Sequence, residues 1–189
     1  MTNTIALVIL ALVLLAGCAR ALGRAETALY TGRYDEAAAR FQEVLAEKPD
    51  SVDAFVGLGI AKYRLGALDE AERAFSEAQR RAPELPIPRL YLGLIALLRG
   101  QDAAAGESLQ RYAAVGTPRV ADDIERALRA LGSGPATVEM RRFMAASLED
   151  QAALAGELVS AQQALALSDQ RRITEDRTLL LLPCACRSR

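Results

Sequence analysis

Three cysteines, at positions 18, 184 and 186, and adjacent acid pairs such as Asp69/Glu70 and Asp122/Asp123 are the side chains whose type and spacing invite chemistry. A thiol can be acylated, oxidised or given to a metal; paired carboxylates can share general acid and base work. Most of these routes close quickly. Histidine is absent, which removes the commonest general base, the commonest zinc ligand and every Ser-His or Cys-His nucleophile. Cys184 and Cys186 offer too few ligands for a metal, no second cluster completes them, and a disulfide across one residue closes a strained ring. An incidental pair near a chain terminus is the plainer account. The acid pairs fall where a helix start wants negative charge, and the glycines do not form a phosphate-cradling motif. No catalytic residue, metal or small-molecule substrate is expected. With 23 basic against 24 acidic residues, no charge surplus points to nucleic acid either.

Cys18 stands apart because of what precedes it. Residues 5–15 are an uncharged apolar run of 11 residues, followed by Ala16-Gly17-Cys18. Such a run has the length of a signal-peptide core and is short for a bilayer span. Small residues before a cysteine, after that run, resemble the cleavage site of a bacterial lipoprotein precursor. The resemblance implies removal of residues 1–17, acylation of Cys18 on its sulfur, and a covalent lipid as the one non-protein group. Ala19 in place of an inner-membrane retention aspartate is compatible with the expected location, the periplasmic side of the outer membrane. The residues ahead of the run carry no Lys or Arg, and Arg20 and Arg24 follow it. The alternative is therefore an uncleaved single span over residues 2–19, with a cytoplasmic C-terminal domain by the positive-inside bias.

The elements that would carry this anchor are legible as a repeat. Gly32, Gly66 and Gly100 are 34 residues apart, as are Ala37, Ala71 and Ala105, and Phe41, Phe75 and Leu109. Pro49 and Pro83 keep the same step, and Leu58-Gly59 recurs as Leu92-Gly93. Scarce aromatics, no Trp and abundant Ala and Leu fit packed helices. This pattern resembles the tetratricopeptide repeat, a helix–turn–helix unit. The resemblance implies an all-α solenoid of three hairpins, residues 18–51, 52–85 and a degenerate 86–117. Glycine would end each first helix, alanine would allow close crossing, and phenylalanine would fill the space between hairpins. The first unit departs at Arg24-Ala25, where the Leu-Gly pair is missing; the third has Ala103-Ala104 for Asp-Glu and no aromatic at Leu109.

Beyond the repeats, Thr117-Pro118 reads as a hydroxyl-capped helix start. Val120, Ile124, Ala127, Leu128 and Leu131 form one apolar stripe, a capping helix over 118–132. After the break at Ser133-Gly134-Pro135 a helical extension is expected over 137–182. Its apolar positions include Met140, Phe143, Met144, Leu148, Leu154, Ala155, Leu158 and Leu165, with a flexible tail over 183–189. Gln151 and Gln162 near its seam favour an amphipathic or coiled-coil-like helix over a deeply buried one.

Stacked hairpins curve, and the family's inner-face positions fall here on Leu22, Glu26 and Leu29, then Asp53, Val56, Ile60 and Tyr63, then Ile87, Leu90, Leu94 and Leu97. Glu26, Ile60 and Leu94 replace the asparagines that clamp a carboxylate in chaperone-binding relatives, so a mostly apolar groove is expected. It suits an amphipathic or extended apolar segment of another protein. The helix beginning near Thr137 is the other occupant open to it. The resulting expectation is a membrane-anchored scaffold lipoprotein that recruits or assembles a partner in the bacterial envelope, pilotin-like or assembly-factor-like, and no enzyme.

Overall fold

The computed structural model describes residues 21–134, 136–157 and 160, and every regular element among them is a helix. We number them in chain order: α1 (residues 21–30), α2 (Tyr34–Glu47), α3 (Val52–Arg64), α4 (Leu68–Arg81), α5 (Pro86–Leu98), α6 (Asp102–Ala113), α7 (Pro118–Gly132) and α8 (residues 138–157). Cys18, Cys184, Cys186 and the extension beyond 160 lie outside the described residues.

Three-residue turns join α1 to α2, α3 to α4 and α5 to α6. Each turn contains the repeat glycine, with φ of 75° at Gly32, 76° at Gly66 and 75° at Gly100. Only glycine holds that backbone without a Cβ penalty, which is why it recurs at every turn. The second helices then start on acids, Asp35 and Glu36 in α2 and Asp69 and Glu70 in α4, facing the positive helix end. Pro49 and Pro83 follow the ends of α2 and α4 by two residues. Ser51 caps α3 by accepting from the Ala54 N–H at 3.3 Å.

Consecutive helices pack on one another, and α3 also meets α5, so each hairpin leans on the next. Small residues set the spacing. A Cβ at Gly57 would overlap the Phe41 ring, one at Gly59 would stand 2.7 Å from Phe75, and one at Gly93 the same distance from Leu109. Phe41, Phe75 and Leu109 are fully buried as a result. Phe75 stacks on Tyr91 at 4.8 Å between ring centroids, tying the second hairpin to the third. Polar contacts reinforce the joints: Arg99 reaches Glu72 at 2.5 Å and also Asp69, and Arg81 lies 4.5 Å over the Phe55 ring.

The apolar interior forms two clusters. Ala25, Ala28, Ala37, Ala38, Phe41 and Val44 gather with Ala54 and Ala61 of α3. A larger one runs from Ala71 and Phe75 through α5 to Ile124, Leu131, Met144 and Leu148. The α7 stripe packs as the sequence suggests, through Val120, Ile124 and Leu131. Its expected hydroxyl cap does not form: Thr117 occupies the cap position with Pro118 behind it, but its side chain makes no cap bond.

Candidate functional site

The inner face of the array is divided, because α8 lies across its third unit. Met144, Ala145, Leu148 and Ala152 of α8 share one buried cluster with Leu90, Leu94 and Leu97 of α5. Leu94 is 0% exposed. The groove expected from Leu90, Leu94 and Leu97 is therefore corrected: α5 offers no open wall, because α8 satisfies its apolar face from within the chain. Ile87, at the start of α5, stays half-buried beside an apolar cleft of about 310 Å³ lined by Tyr112, Val120, Ala152 and Ala155.

Two polar contacts fix how α8 sits. At its start, Arg141 donates to Asp102 at 3.0 Å through Nη2 and to the Leu97 carbonyl at 3.4 Å. The guanidinium holds the Asp102 carboxyl below its ordinary range, chiefly through the hydrogen bond. Cations at the end of α5 also suit the negative helix terminus. In the middle, Glu149 is buried at 6% exposure inside the apolar seam. It accepts the Tyr91 hydroxyl at 2.8 Å and pairs with Arg64 at 3.0 Å. A carboxylate is rarely buried without such partners. Burial, and then the Glu149 charge, raises both neighbouring phenols, Tyr63 to about 12 and Tyr91 in the same direction. Tyr63 packs edge-on against Tyr91 at 5.2 Å.

Glu149 was not among the residues singled out from sequence, although a signal existed. Ala145, Glu149 and Ala152 stand at i, i+4 and i+7, so the acid interrupts an apolar stripe on the buried side.

The first two units keep the remaining inner-face positions accessible. Leu22, Leu29, Val56, Ile60 and Tyr63 are half-buried, while Glu26 and Asp53 are exposed. Beside Tyr63 a cleft of about 410 Å³ opens against α8, lined also by Arg64, Leu68, Leu98, Val138, Arg142 and Glu149. The α8 helix thus serves as the far wall of what is left of the groove. Among the described residues no cluster of three His, Cys, Asp or Glu is placed to hold a metal, and no helix is long and apolar enough to cross a membrane.

Comparison with known proteins agrees with this geometry. Residues 22–86 match the family model described as the tetratricopeptide repeat, which spans α1 to α4 and the turns between them. No curated protein matches the chain. The all-helical fold of consecutive hairpins is a tetratricopeptide-type solenoid, an architecture that supports protein–protein interaction.

Proposed function

We propose that the protein is a membrane-tethered adaptor. A lipid on Cys18 holds it at the periplasmic side of the outer membrane, and the inner face of its first two hairpins receives a segment of another envelope protein. The role is pilotin-like or assembly-factor-like: recruitment, with no bond made or broken. The observation that carries this reading is the half-exposed apolar face of α1 and α3, bordered on one side by α8. Leu29, Val56 and Ile60 supply apolar contact, while Glu26 and Asp53 add acid on the same face of the repeat. An amphipathic helix with basic residues beside its apolar stripe is complementary to that surface. Several acyl chains at ~0.8 kcal/mol per buried CH₂ make such a tether effectively permanent.

Two measurements test the proposal separately. Metabolic labelling with a palmitate analogue is expected to mark the wild-type chain and to fail, with processing blocked, for Cys18→Ser. An unlabelled, unprocessed wild-type chain overturns the anchor and favours the span over residues 2–19. A photo-crosslinker at Ile60 in intact cells is expected to capture a protein partner, and adding Val56→Asp to that chain is expected to abolish the capture with helical content unchanged. Capture undiminished by that substitution overturns the groove assignment.

A further inference from the structure

The α8 helix carries large apolar residues on two opposite faces, and among the described residues only one of those faces is packed. Met144, Ala145, Leu148 and Ala152 face the array. On the other side Phe143 is 76% exposed and Leu154 is 59% exposed, with Ser147 and Asp150 between them. The spacing Phe143, Ser147, Asp150, Leu154 runs 4, 3, 4, the step of a heptad seam.

That outward stripe reads nearly alike in both directions: a large apolar residue, two polar ones, a large apolar one. A stripe of this kind is self-complementary under a two-fold axis. Laid antiparallel on a second copy, with the axis passing between Leu148 and Glu149, Phe143 of each chain meets Leu154 of the other. Ser147 then meets Asp150, so the hydroxyl donates to the carboxylate. At the edges Arg142 lies near Glu157 of the opposite chain. Both are exposed, and among the described residues neither has an ion-pair partner within its own chain. Isologous pairing uses each of these complementary contacts twice. The contacts at Asp102 and Glu149 hold the other side of α8, so the stripe is presented on a fixed element.

We infer that the outward face of α8 is a homodimer interface, in which two copies pair antiparallel through Phe143 and Leu154. This does not depend on the lipid anchor or on the client groove. With two apolar layers the interface is smaller than the usual ~1,200–2,000 Å², which places it in the weak, concentration-dependent class.

The test uses the full chain with Cys18→Ser, Cys184→Ser and Cys186→Ser, in two differently tagged forms. Under mild oxidation, Phe143→Cys co-expressed with Leu154→Cys is expected to give a disulfide-linked species carrying both tags. Either variant alone is expected to give none, because in the antiparallel pair 143 and its equivalent lie ~16 Å apart along the axis. Self-linking by the single variants means a parallel arrangement and overturns the proposal; so does the absence of any linked species. A second readout is sedimentation of the otherwise native chain. Phe143→Asp is expected to weaken self-association at least ~30-fold, as for a buried aromatic anchor, with circular dichroism unchanged. A chain that is monomeric at every concentration, or a dimer insensitive to Phe143→Asp, also overturns it.

Discussion

Removing Glu149 tests whether α8 is held on the array by the contact that the structure places at its centre. In Glu149→Ala the Tyr91 hydroxyl, donating at 2.8 Å, loses its acceptor inside an apolar seam. A hydrogen bond to a charged group contributes ~1.5–3 kcal/mol, and an orphaned buried donor costs ~1–3 kcal/mol. The ion pair adds little, since the Arg64 side chain is 42% exposed and finds water instead. We therefore expect Glu149→Ala to destabilise by about 2–3 kcal/mol, and Tyr91→Phe alone by about 1–2 kcal/mol. The sharper expectation concerns the pair. Replacing both partners with apolar groups, Tyr91→Phe with Glu149→Leu, removes the donor and the charge together. That double variant should recover to within about 1 kcal/mol of the native protein. Urea unfolding gives the energies, and hydrogen exchange along α8 and α5 shows whether the two separate locally before the array unfolds. If the double variant is no more stable than Glu149→Ala, and exchange over 138–157 stays native in Glu149→Ala, the reasoning is refuted.

Other expectations follow from the same packing. Gly59→Ala places a Cβ 2.7 Å from Phe75, and such overpacking should cost about 1–3 kcal/mol in a thermal melt, whereas Gly156→Ala, with nothing within 4 Å, should stabilise α8 by up to ~1 kcal/mol. The Tyr63 phenol titrates at about 12 instead of 10.0, so its contribution to stability is complete below pH ~10 and disappears as pH rises through about 12. Tyrosinate absorbance should show this late titration, and Tyr63→Phe should flatten the alkaline loss of stability. The Asp102 carboxyl is held low by Arg141, so its contribution is present above pH ~4 and lost as pH falls through the folded value. Hydrogen exchange in the first turns of α8 should accelerate on acidification, and Asp102→Asn should show the faster exchange already at neutral pH.

Much of the fold is legible in the chain because its repeat is enforced by backbone and by shape. A left-handed turn admits glycine, and a close helix crossing admits only glycine or alanine, so Gly66, Ala71 and Gly59 announce themselves by spacing. What the sequence leaves open is where α8 settles. Its apolar residues serve two faces: Met144 and Leu148 point inward, Phe143 and Leu154 outward, and reading them as one stripe conceals both. The contact between Tyr91 and Glu149 joins residues 58 apart, and no local pattern records such a meeting. Thr117 shows the opposite error, a suitable residue in the right place whose hydroxyl makes no cap bond, because Pro118 already sets the helix start. The anchor at Cys18 rests on sequence pattern alone.

The two separate interiors also have a mechanical meaning. Tension applied at the N-terminal end reaches first a hairpin whose hidden contacts are mostly alanines around one phenylalanine, Phe41, closed off by Ala54 and Ala61. The bulkier interior from Phe75 to Leu148 takes no part in that joint. Under a steady pull α1 and α2 would peel away and lengthen, as a fuse gives before the circuit, taking the α1 side of the binding face with them while the six helices behind kept their shape.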